Sequence, residues 1–95
     1  MKNISFKEAC NIIKNNKIDN VYYIEGSKEK DCGKPKSKDT AKCIITFFEC
    51  GDAGAIKSIA PMIAIKEDMV SEITFDNKEL TFEINSNIKY RVVIS

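Results

Sequence analysis

The chain has 95 residues, 43% hydrophobic and 31% charged, which suffices for one domain over residues 1–95 and leaves no room for a second core. No apolar run approaches the roughly 20 residues that a membrane-crossing helix needs, and a formal net charge of +1 gives no whole-molecule field to steer it to nucleic acid or a membrane surface.

Ser5 and Glu8 form a capping-box pattern, with Ile4 ahead as a staple. Phe6, Ala9, Cys10 and Ile13 follow at helical spacing, so a helix is predicted from here to about Asn16, with Lys14 and Lys17 at its negative end. The β-branched and aromatic run Ile18–Glu25 predicts a strand. Residues 27–42 carry six Lys against three carboxylates, a local net +3, and almost no apolar side chain. They are expected to form an exposed, mobile loop.

Residues 42–50 (KCIITFFEC) are nearly continuously apolar and predict a central strand. Residues 51–54 form a turn pattern, and Pro61 makes the next apolar stretch, residues 55–65, an edge or bulged strand. A turn or single helical turn is expected over residues 66–72. Two alternating runs around Asp76-Asn77-Lys78-Glu79 then predict a hairpin, and Ile88–Ile94 predicts a last strand. The expected fold class is α+β, one N-terminal helix packed on a five- to six-stranded, mostly antiparallel sheet.

The stretch FFECGDAGAIKS, residues 47–58, is the one place where chemistry could concentrate. Gly51 and Gly54 lack the spacing of a phosphate-cradling loop, and Lys57-Ser58 comes too late for one. Cys50 is the sharpest nucleophile candidate, but the chain has no His to act as its base. A plain connection between two strands is the simpler reading. The four cysteines contain no C-x-x-C pair, so no metal site is expected, and Cys10, Cys43 and Cys50 are expected in the core. These features favour a non-enzymatic protein with no cofactor. Fourteen Lys against the single Arg91 argue against sequence-specific nucleic-acid reading. The first ten residues lack the apolar core of a signal peptide, so the expected location is cytoplasmic. The 37 Lys, Ile and Asn residues have A/T-rich codons and point to an AT-rich genome, a low-GC bacterium or a phage or plasmid within one.

Ile4-Ser5-Phe6-Lys7-Glu8-Ala9 with Ile12-Ile13-Lys14 resembles the opening helix of the phage Thoeris anti-defence sponge proteins. Residues 45–50 with Gly54-Ala55-Ile56 resemble that family's central strand and hairpin, and residues 68–72 are similar to the start of its Asp-Leu-Leu-Ala-x-Asp-Trp motif. Ile73 and Thr74 stand where that motif has Asp and Trp, and the chain contains no Trp. The resemblance implies a small α+β oligomer that blunts bacterial immunity by holding a nucleotide signal without cleaving it. The ligand residues expected on this reading are Gly51, Asp52, Gly54 and Asp68.

The alternative is an inhibitor that contacts a host defence protein, such as a CRISPR-type nuclease. Lys34, Lys36 and Lys38 of the basic segment would then meet the partner, and the acidic C-terminal third offers a second charged surface. A homo-oligomer is expected as well. Ile44, Phe48, Ile63, Ile65, Phe75, Phe82, Ile84 and Tyr90 are more large apolar residues than one helix can cover.

Overall fold

The computed structural model describes residues 2–51 and 60–95. In chain order its elements are β1 (Lys2–Asn3), α1 (Phe6–Asn15), β2 (Ile18–Glu25), β3 (Lys28–Asp31), β4 (Ser37–Asp39) and β5 (Ile44–Cys50). After these come β6 (Ala60–Lys66), a 3-10 turn (Glu67–Met69), β7 (Glu72–Asp76), β8 (Glu79–Glu83) and β9 (Ile88–Ile94). The fold is α+β, as the sequence predicts, with every strand pair antiparallel. The strands divide into two sheets, one of six in the order β1-β7-β8-β9-β2-β3 and one of three in the order β4-β5-β6.

The helix starts where the capping box places it. The Glu8 backbone N–H donates to Ser5 Oγ at 3.1 Å, and the Ser5 N–H donates to Glu8 Oε1 at 3.2 Å. Phe6, Ala9 and Ile13 turn inward and Cys10 is half-buried beside them. At the C-terminal end Asn16 Nδ2 donates to the Ile12 carbonyl at 2.8 Å, and Lys38 Nζ donates to the Asn16 carbonyl, a cation at the negative end of the helix.

The core is one cluster built mainly from three sources, to which Cys32 adds a fourth. The helix gives the three residues just named. The inner face of the large sheet gives Ile18, Val21, Ile73, Leu80, Phe82, Val92 and Ile94, and the small sheet gives Ile45, Phe47, Cys50, Ile63 and Ile65. The helix is therefore not the sole cover of the apolar strands: the small sheet closes over the same core. Of the eight residues on which an oligomer was expected, Ile63, Ile65 and Phe82 are buried and the other five are half-buried. Met62, 58% exposed, is the one exposed large apolar side chain among the described residues.

Residues 27–42 are not the loop expected from their charge. They form β3, β4 and the crossing between the two sheets. All four β3 side chains are exposed and charged, so the apolar alternation that marks a strand is missing from it. The Cys32 N–H donates to the Val21 carbonyl at 2.8 Å, the Val21 N–H donates to the Gly33 carbonyl at 2.9 Å, and Gly33 then takes a φ of +75°. Glycine adopts that conformation at no steric cost, and here the chain leaves the large sheet for the small one. Cys32, inside the segment expected to be an exposed loop, is buried at this crossing, while Cys43, expected in the core, is exposed and Cys10 is only half-buried. Cysteine content alone cannot tell Cys32 and Cys43 apart, since neither lies in a strand whose alternation would mark it.

β5 is the central strand of the small sheet, and β6, which contains Pro61, is its edge strand. The described ladder runs to Cys50 opposite Ala60, and most of the predicted 51–54 turn lies outside the described residues. Glu49 has a φ of +50°, and the side-chain alternation of β5 slips by one there, so that Phe47 and Cys50 are both buried. The β7–β8 hairpin closes through Asn77 (φ +48°) and Lys78 (φ +69°), the two positive-φ positions of a tight two-residue turn. Lys at the second position carries strain that glycine would not. Lys78→Gly is expected to raise unfolding stability by about 1 kcal/mol, read as a higher urea midpoint with an unchanged slope.

Candidate functional site

Lys34, Lys36 and Lys38 come from the segment that leaves the large sheet and enters β4. The Lys34 N–H donates to the Gly51 carbonyl at 2.9 Å, the Gly51 N–H returns to the Lys34 carbonyl at 3.2 Å, and the Lys36 N–H donates to the Phe48 carbonyl at 2.9 Å. These bonds hold the segment along β5. Together with Lys17, just past the helix, the three lysines ring a shallow cleft with Ile18, Pro35 and Ser37, Ile18 and Pro35 being buried. Lys36 Nζ lies 3.6 Å from Glu49 Oε2, both side chains well exposed, an ion pair worth at most about 1 kcal/mol. The sequence reading named three of these lysines; Lys17 joins them because the helix ends beside β4.

The expected ligand residues do not come together. Gly51 follows the last residue of β5, while Asp68 lies in the 3-10 turn beyond the other end of the hairpin, where the Glu67 N–H donates to the Cys43 carbonyl at 2.9 Å. The seven residues of β5 separate Cys43 from Gly51, roughly 25 Å. Asp52 and Gly54 lie outside the described residues. Asp68 borders its own depression of about 470 Å³ with Lys42, Cys43, Ile44, Lys66 and Glu67, a mixed-charge cleft open to solvent.

A third surface was only partly legible in the charge count of the C-terminal third. Strand register places Glu29 and Asp31 (β3), Glu72 and Asp76 (β7), and Glu79 and Glu83 (β8) on the outer face of the large sheet. Against these six carboxylates stand Lys89 and Arg91 of β9. Arg91 is the organising residue. Its guanidinium lies 4.6 Å above the Tyr22 ring, pairs with Glu29 and reaches Glu79 Oε1 at 3.6 Å.

The thiols are poor nucleophiles. Burial pushes the Cys50 thiol up to about 11 and raises those of Cys32 and Cys10 as well, while Cys43 is raised foremost by its hydrogen bond to the Glu67 carboxylate. A thiol at about 11 is ionised on the order of one part in ten thousand at pH 7. Among the described residues no group of three or more Cys, Asp or Glu is placed to hold a metal ion, and no helix is long and apolar enough to cross a membrane. Comparison with protein-family models, curated proteins and solved structures finds no match to this chain.

Two outcomes follow for the thiols. Under native conditions an alkylating reagent is expected to label Cys43 first, and to reach Cys32 and Cys50 only on unfolding, as mass spectrometry of the digested protein will read. The Cys50 thiol ionises more easily in the unfolded chain, whose reference value is 9.0, than in the folded one. Its contribution to stability is therefore complete below pH 9 and is lost as the pH rises to about 11. The urea midpoint should decline over that window, and decline less in Cys50→Ala; Tyr23 and Tyr90, also raised, add to the decline above pH 10 in both proteins.

Proposed function

We propose that this protein is a small non-enzymatic binding module, of the kind a phage or mobile element uses against bacterial immunity. It acts by seating an acidic surface of a host defence protein against the cleft of Lys17, Lys34, Lys36 and Lys38. The observation that carries the reading is the convergence of four lysines from two separate chain segments on one cleft with apolar residues in its wall. The cleft is shallow, of a form that suits the side chains of a protein surface more than a sequestered small molecule. Lysine supplies point charges without the fork geometry of arginine, so the contact mainly accelerates encounter and orients the partner.

A second reading keeps the nucleotide signal as ligand. It is favoured by the 470 Å³ depression at Asp68, whose volume falls in the range of small-molecule sites and whose Lys42 and Lys66 could meet phosphate groups.

The two readings separate in one set of measurements. Immobilised protein should retain a host defence protein from lysate, and Lys34→Glu/Lys36→Glu should slow association with the purified partner by about tenfold or more and flatten its salt dependence. Lys38 is left in place because it caps the helix. Unchanged association kinetics in the double variant would remove the lysine cleft from the interface. Heat on titration with a cyclic nucleotide, lost in Lys42→Ala/Lys66→Ala, would establish the second reading in its place.

A further inference from the structure

We infer that the free edge of β6 is a self-association surface, on which a second copy of the chain adds its own β6 antiparallel and joins the two small sheets into one of six strands. The backbone hydrogen bonds decide which residues face that edge. The Glu67 N–H donates to the Cys43 carbonyl, and this pair continues the β5–β6 register in which Ile45 faces Ile65 and Phe47 faces Ile63. Residues of an antiparallel strand point their backbone groups to alternate sides, so Ile63 and Ile65 bond to β5. The Phe48 carbonyl accepts from Lys36 on the β4 side, which shows the complementary phase on β5. Met62, Ala64 and Lys66 must then present their N–H and C=O groups away from β5. Among the described residues no strand lies beyond them.

The other sheet edges carry protection that β6 lacks. β3 is Lys-Glu-Lys-Asp with every side chain exposed, β1 has two residues, and β4 has three with a lysine at its centre. β6 has seven residues, Ala-Pro-Met-Ile-Ala-Ile-Lys, with a single charge at its end. Pro61 precedes the Met62–Lys66 stretch that would pair about the two-fold, so its missing N–H takes no part in the new ladder. The strand is also self-complementary. Antiparallel pairing about a two-fold near Ala64 sets Lys66 of one copy opposite Met62 of the other, so the two lysines never meet. Met62, the exposed apolar side chain, then lies against the aliphatic stem of the partner's Lys66. The common partner of a small chain with an unprotected edge is its own copy, through a two-fold contact that closes on itself.

The test uses the full chain. Sedimentation from about 1 to about 300 µM is expected to show the mass rising from 10.7 kDa toward twice that value. Hydrogen exchange should slow with concentration at the amides of Met62, Ala64 and Lys66. Ala64→Pro removes an N–H that faces away from β5 and bonds no strand among the described residues, so it should keep the far-UV spectrum and weaken dimerisation at least tenfold. If that variant fails to fold, Met62→Lys serves instead, because it sets two lysines opposite each other across the two-fold. A monomer over the whole range overturns the inference. So does a dimer whose protection lies elsewhere and whose affinity a folded variant leaves unchanged.

Discussion

The contact on which the rest of the structure depends is the burial of Ile45 and Phe47 of β5 in the core shared with the inner face of the large sheet. A sheet of three strands, one only three residues long, has too little apolar surface to stand alone. The large sheet has the opposite need: its inner residues, from Val21 to Phe82, are more than a ten-residue helix can cover. Each sheet supplies what the other lacks. Everything at the surface of the small sheet, including the lysine segment held along β5, takes its position from that shared core.

Charge is segregated around this core rather than scattered. The lysines of the crossing segment stand at one cleft, while six carboxylates line the outer face of the large sheet, where register places Lys89 and Arg91 with them. The near-zero net charge hides both surfaces, because it averages over them. Fields of this kind act within a Debye length of about 8 Å at physiological salt, so local sign matters more to an approaching partner than the total.

Much of the fold was legible where side-chain periodicity is strong. The helix, β2 and β9 were placed with their ends within a residue, because amphipathic spacing, a capping box and β-branched runs each follow from burial on one face. β3 and β4 were not legible. Neither has a face that the core needs, and Cys32, Gly33 and Pro35, the buried residues near them, sit between the strands rather than in a repeating pattern. The division into two sheets was hidden as well, since it turns on a single backbone event at Gly33. For the candidate site, Lys34, Lys36 and Lys38 were singled out by charge alone and do share a cleft, but Lys17 is brought in only by tertiary contact. Gly51 and Asp68 looked related through a family pattern. An intervening hairpin sends them to opposite ends of a sheet, which spacing along the chain does not reveal.

The strand order has a consequence for how the protein is made. β9 is the last strand described, yet it lies between β8 and β2, with Val21 opposite Val92 and Tyr23 opposite Tyr90. During synthesis β2 leaves the ribosome well before β9 and can form only its local hairpin with β3. Its other edge stays open until some sixty further residues have been added. The large sheet is thus two incomplete ribbons, β2–β3 and β7–β8, until residues 88–94 bridge them. Closing so long a loop is slow. The nascent chain must carry an exposed β-branched edge while those residues are made, and the crossing segment with its lysines is placed to help keep that edge soluble.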